Sequence, residues 1–103
     1  MIEITKENFQ QEVMQSEQLC VVDFWASWCA PCKMIGQELQ QVQERLPQVK
    51  FCKINVDEQM DLAVAHGVQS IPMLLIVKDG KILKELIGYR PADTLALEIG
   101  AFL

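Results

Sequence analysis

Residues 20–33, Cys20-Val21-Val22-Asp23-Phe24-Trp25-Ala26-Ser27-Trp28-Cys29-Ala30-Pro31-Cys32-Lys33, decide the reading of this chain. Cys20 to Ala26 is apolar but for Asp23, and reads as a central strand buried on both faces. Ile35, Leu39, Val42 and Leu46 then recur at helical spacing, so a helix is predicted from about Cys29 to Leu46, stopped by Pro47. Thiols at i and i+3 of a first helical turn share one face. They lie close enough to close into a small disulfide and open again. Cys29 falls at the helix N-terminus, where free backbone N–H groups favour a thiolate. The stretch therefore reads as a reversible dithiol–disulfide couple between Cys29 and Cys32.

The flanking elements extend this pattern. Ile2–Ile4 reads as a short strand, and Thr5 as the N-cap of a first helix with Phe9 and Val13 on its inner face. Residues 49–56 form a third strand. Asp57 caps a short helix from about Glu58 to His66, ended by Gly67. Strands at 73–77 and 81–87 are joined by Asp79-Gly80, a tight hairpin signal. Pro91 opens a last helix with Leu95, Ile99 and Phe102 on one stripe. The order is β-α-β-α-β-α-β-β-α, which predicts an α/β fold with a mostly parallel sheet covered on both sides. The closing hairpin must add antiparallel pairing.

The 103 residues suggest a single domain spanning 1–103, and half of them are apolar, enough for a core without staples. Nine Lys+Arg against fourteen Asp+Glu give a formal charge of -5. The absence of a basic patch argues against nucleic acid as a partner. The apolar runs are too short to cross a membrane, and the first fifteen residues lack the apolar core of a signal peptide. A reducing, cytoplasmic setting is the expectation. There, four cysteines read as catalytic or simply buried, not as a disulfide framework. A zinc site would need a second Cys-x-x-Cys or a spaced His pair, so no metal is expected.

Cys29 is the expected nucleophile, next to solvent, with Cys32 one turn deeper. A thiolate at a helix N-terminus gains up to about 2 kcal/mol, lowering its pKa by roughly 1.5 units. The gain in thiolate is partly offset. With a Brønsted slope of about 0.4–0.5, intrinsic nucleophilicity falls roughly fivefold. The larger benefit is that Cys29 becomes a good leaving group when Cys32 attacks the mixed disulfide. That second attack is also intramolecular. Pro31 is tolerated in the first turn and stiffens the bridge, and Ala30 favours helix. Asp23, buried in an apolar strand, would carry a raised pKa and could exchange a proton with Cys32; a strand-end Asp facing solvent is the alternative. Lys53 either faces Asp23 and tempers that shift or is simply solvated.

With Trp28-Cys29-Ala30-Pro31-Cys32-Lys33 after Val22-Asp23-Phe24-Trp25-Ala26, the chain resembles the thioredoxin family over essentially its whole length. Asp23, the Trp-flanked dithiol, Lys53, Ile71-Pro72 and Gly88 line up in order. The resemblance implies the thioredoxin fold: a central mixed five-stranded sheet flanked by four helices in three α/β/α layers. It implies a buried acid at Asp23 and a cis peptide bond before Pro72. It also implies a shallow apolar docking surface from Trp28, Ser70, Ile71, Pro72, Gly88 and Tyr89. No cofactor is implied beyond the Cys29–Cys32 disulfide. Electrons would arrive from a thioredoxin reductase, NADPH- or ferredoxin-linked, and leave to disulfide-bearing client proteins, with the chain acting as a monomer. Four departures from the family pattern bear on partner choice and potential. Ala30 replaces a usual Gly, Gln37 a common Pro, and Met73 a usual Thr; Cys20 and Cys52 are extra thiols, expected to be buried and inert.

Two functions compete at this level. One is a thiol–disulfide oxidoreductase that reduces protein disulfides. The other is a non-catalytic binding module that keeps the fold with the dithiol idle, since fold alone never guarantees activity. Both thiols together with Asp23 and Pro72 favour the first.

Overall fold

The computed structural model describes residues 1–103. Five strands are present: β1 (Ile2–Glu3), β2 (Cys20–Trp25), β3 (Lys50–Asn55), β4 (Met73–Lys78) and β5 (Lys81–Ile87). The α-helices are α1 (Ala30–Arg45), α2 (Met60–Ala65) and α3 (Ala92–Gly100). The sheet order is β1-β3-β2-β4-β5. β1, β3 and β2 run parallel, whereas β2–β4 and β4–β5 pair antiparallel. This is the expected mixed five-stranded α/β architecture, but the sheet is not mostly parallel: the two parallel pairings are matched by two antiparallel ones, because β4 pairs antiparallel to β2 as well as to β5.

The two-residue period of a strand sorts β2 between two cores. Val21 joins Ile35, Leu39 and Val42 of α1 and Leu95 and Ile99 of α3 on one face. Cys20, Val22 and Phe24 join Val13, Cys52 and Ile54 on the other. Asp23 and Trp25 have the parity of Val21, so they point towards α1. Lys53 has the parity of Phe51, which also lies in the α1 core. The register sets Asp23 directly beside Lys53 on neighbouring strands. Cys20 and Cys52 fall on the opposite face, away from the dithiol, and both are fully buried free thiols.

Three expectations about the helices change in detail. The first helix is a single π-type turn, Gln10–Met14. Its Gln15 N–H reaches the Gln10 carbonyl at 2.9 Å, the five-residue step of a π-turn, and Lys50 Nζ donates to the Glu12 carbonyl at 3.0 Å. The molecule thus has three α-helices and one π-turn where four helices were expected. Thr5 still starts the segment, its Oγ1 accepting from the Glu7 N–H at 3.3 Å while Asn8 Oδ1 accepts from the Thr5 N–H at 2.7 Å. Asp57 is not the cap of the next helix. Asn55 Oδ1 accepts from the Asp57 and Glu58 N–H groups at 2.9 and 3.3 Å, and the Asp57 carboxylate turns to Trp28 instead. Phe102 lies beyond the end of α3 and stays partly exposed, so the buried stripe is Leu95 and Ile99 with Ala92.

The hairpin follows its sequence signal. Asp79 and Gly80 have φ of 51° and 74°, the paired positive values of a type I′ turn. At Gly80 a Cβ would also stand 3.2 Å from the Met14 carbonyl oxygen.

Candidate active site

Cys29 is the N-cap of α1, in extended conformation with φ −95° and ψ 106°. Its sulfur accepts from the Cys32 N–H at 3.2 Å. That N–H is one of the donors a helix start leaves without an intrahelical partner. Cys29 and Cys32 are joined by a disulfide, with their Cα atoms 5.2 Å apart. Ala30 and Pro31 fill the first two helical positions and are exposed. Pro31 has no N–H to contribute, so it costs the first turn nothing.

One expectation about the sulfurs is corrected. Cys29 is 4% exposed and Cys32 3%, so the outer cysteine is as covered as the inner one. Ala26, Trp25, Val56 and Ile71 pack around the pair. The carbonyl oxygen of Ile71 lies 4.0 Å from the Cys29 sulfur. Trp28 stands out at 69% exposure, yet its indole N–H donates to Asp57 Oδ2 at 2.9 Å, which holds the ring beside the dithiol.

Below the disulfide, Asp23 is 3% exposed, and its Oδ1 has no hydrogen-bond partner. Burial pushes this carboxyl from 3.8 up to about 7, against the opposing pull of Lys53. The solvated-Asp alternative is thereby removed. Lys53 is only half-buried, and its ammonium sits 5.5 Å from the centre of the Trp25 ring. Asp23, Trp25, Cys32, Lys53, Gly36 and Gln37 line an open cleft of about 260 Å³. Through it the buried acid and the inner cysteine share a route to solvent.

On the other side of the dithiol, the Ile71-Pro72 peptide bond is cis. The main-chain N–H and C=O of Ile71 bond to no other main-chain group. Gly88, at φ 93°, donates its N–H to the Pro72 carbonyl at 2.9 Å, which sets the loop after β5 against the one before β4. Ser70 and Tyr89 are exposed at the surface. Trp28, Val56, Val68, Ser70 and Ile71 line a shallow, mostly apolar groove of about 190 Å³. No group of three or more His, Cys, Asp or Glu is placed to hold a metal, and no helix is long and apolar enough to cross a membrane.

Two contributors escape the sequence reading, and a third, Gln37, stands out there only as replacing a common Pro. Trp25 reads there as core, but its indole Nε1 is buried without a partner in the cleft of Asp23. The alternation that turns Asp23 towards α1 also turns Trp25 that way, so the signal was present. Gln37 lies five positions past Cys32, at the cleft mouth. Asp57, two residues past the end of β3, carries no pattern that ties it to Trp28.

A redox-active pair on the first turn of a helix, above a buried acid in a mixed five-stranded sheet, defines a thiol–disulfide oxidoreductase. A family model described as Thioredoxin matches residues 1–101. The chain is 47% identical over 94 residues to a thioredoxin of Listeria monocytogenes, covering 90% of this chain and 89% of the relative. It is 40% identical over 98 residues to a thioredoxin of Chlorobaculum thiosulfatiphilum, covering 94% and 91%. With a thioredoxin of Bacillus subtilis it shares 41% over 96 residues, covering 92% and 90%. The chain belongs to the thioredoxin family. Its activity is that of a protein-disulfide reductase working through a redox-active disulfide, served by a thioredoxin reductase and acting on disulfide clients.

Proposed function

We propose that Cys29 is the attacking nucleophile, Cys32 the resolving thiol and Asp23 the proton acceptor for Cys32. In the reduced protein the Cys29 thiolate attacks one sulfur of a client disulfide. A mixed disulfide forms, and the other client sulfur leaves as a thiolate. Cys32 gives its proton towards Asp23 through the shared cleft and attacks Cys29 sulfur. The Cys29–client bond breaks, the second client thiolate leaves, and protons from Asp23 and solvent complete two client thiols. One disulfide is reduced and one is formed, so electrons balance. The observation that carries this assignment is the Cys32 N–H aimed at Cys29 sulfur, since it stabilises charge on that sulfur alone.

Lys53 limits the rise in the Asp23 pKa, which keeps the acid able to take and return a proton near neutrality. Ala30 and Pro31 keep the bridge rigid. Trp28, Ser70, Ile71, Gly88 and Tyr89 form the client-docking surface, with Pro72, which is buried rather than at the surface, beneath it. There the unpaired main chain of Ile71 bonds an extended client segment in the manner of an added strand. Residues 1–103 act as one domain, an electron carrier working as a cytoplasmic monomer. The two unpaired thiols at Cys20 and Cys52 suit that reducing compartment. The nicotinamide- and ferredoxin-linked reductases are distinguished by which of them reduces the purified protein.

Reduction of insulin disulfides tests the assignment. Cys29→Ser should abolish turnover, and Cys32→Ser should accumulate a client joined to Cys29, seen as a reductant-sensitive adduct by mass spectrometry. A fully active Cys29→Ser variant would refute the roles given to the two sulfurs.

A further inference from the structure

We propose that Arg90 and Glu98 form a brace that fixes the Gly88 rim of the docking surface, making Arg90 a positioning residue for protein disulfides. The proposal rests on the docking role given above to Ile71, Gly88 and Tyr89. Arg90 Nη1 donates to the Gly88 carbonyl at 3.0 Å and to the Ile87 carbonyl at 3.3 Å. Its Nε lies 2.8 Å from Glu98 Oε1 on α3. The latter contact is an ion pair, not an aligned hydrogen bond, because Oε1 is buried without a hydrogen-bond partner. Exposed ion pairs contribute little, but these side chains are only 22% and 29% exposed. One guanidinium therefore closes two carbonyls and one carboxylate in a largely covered position, where its planar fork suits several acceptors at once.

The brace is tied at both ends to the dithiol. Gly88 N–H bonds the Pro72 carbonyl, and the neighbouring Ile71 carbonyl stands 4.0 Å from Cys29 sulfur. At its other end, α3 buries Leu95 and Ile99 in the α1 core. Glu38 of α1 accepts from the Ala92 N–H at 3.0 Å, satisfying a free donor at the start of α3. So the helix that carries Cys32 holds α3, α3 holds Arg90 through Glu98, and Arg90 holds the rim. Gly88 alone would leave that rim loose, since glycine at φ 93° has wide conformational freedom. A client segment then meets a rim already ordered, and the ordering cost is not charged to binding.

The test compares a large and a small oxidant. Insulin must dock on the rim, whereas a small aromatic disulfide reaches Cys29 without it. The readout is the ratio of the two second-order rate constants, with apparent KM and kcat for insulin. A loss of folded protein lowers both constants together and leaves the ratio alone. Arg90→Ala and Glu98→Gln should each lower the ratio about tenfold, through a higher insulin KM at kept kcat, and Arg90→Lys should restore part of it. An unchanged ratio in Arg90→Ala overturns the brace. A drop in Arg90→Ala without one in Glu98→Gln also overturns it, in favour of direct contact between Arg90 and the client. Tyr89→Ala separates the two levels. If it lowers the ratio while Arg90→Ala does not, only the brace fails; if neither does, the docking surface fails as well.

Discussion

Asp23→Asn should make the protein more stable above neutrality and leave it unchanged in acid. The carboxyl is held at about 7 in the folded protein against an ordinary 3.8. Between those values the folded state keeps a proton that the unfolded state has lost. Stability therefore falls as pH rises from about 4, and the loss is complete once pH passes the folded pKa. Three pH units at ~1.4 kcal/mol each amount to about 4 kcal/mol. The cause is desolvation: an ionised Asp23 has an oxygen with no hydrogen-bond donor and only Lys53 to offset it. Asn has the same shape and no charge, so it resembles the protonated acid. Urea unfolding of the oxidised proteins, in which Cys29 and Cys32 do not titrate, gives the comparison. The midpoints should coincide near pH 4 and diverge by about 2 M at pH 8, for a slope near 2 kcal/mol/M. A difference that stays flat across this range would show that Asp23 is not a desolvated acid, and the proton-accepting role proposed for it would fall as well. The same variant should slow release of the client from the mixed disulfide, because an amide cannot take the Cys32 proton.

Two further outcomes test the scaffold. Leu39→Ala, at a fully buried position between α1 and the sheet, should cost ~2–5 kcal/mol in urea unfolding, and a cost under 1 kcal/mol would mean the α1 core is not close-packed. Gly80→Ala should cost ~1–2 kcal/mol, because φ is 74° and the new Cβ meets the Met14 carbonyl oxygen; an unchanged thermal midpoint would contradict the hairpin geometry.

The strong periodic signals in the sequence carried over to the fold. Apolar β2, the helical spacing of Ile35, Leu39 and Val42, and the Asp79-Gly80 turn are each dictated by local chemistry that tertiary contacts reinforce. The misses on Asp57 and Cys29 share one cause. The Asp57 partner is Trp28, twenty-nine residues away, and the Glu12 carbonyl within the π-turn pairs with Lys50, thirty-eight residues away. Neither contact leaves a mark at short range. The burial of Cys29 is of the same kind, since Ile71 and Val56, which cover it, lie far along the chain. The Asp23 face, by contrast, follows from parity with Val21, and needed only the identity of the helix packed there.

The four cysteines make the case that environment decides chemistry. All are buried to within a few per cent, so exposure does not separate them. Cys52 lies in a dry core, where burial first, and the nearby Cys20 next, push its thiol up to about 12. At pH 7 that leaves about one thiolate in 10⁵, too few for useful attack. Cys29 is as covered, but it receives a main-chain N–H from the start of α1, and Cys32 opens onto the cleft of a titrating acid. Strand parity puts Cys20 and Cys52 on one face of the sheet, while Asp23 faces the helix that carries Cys32 on the other. A one-residue slip of β2 would turn Asp23 into the opposite core and Val22 towards the dithiol, so the packing that fixes this register also keeps the acid on the cleft of Cys32.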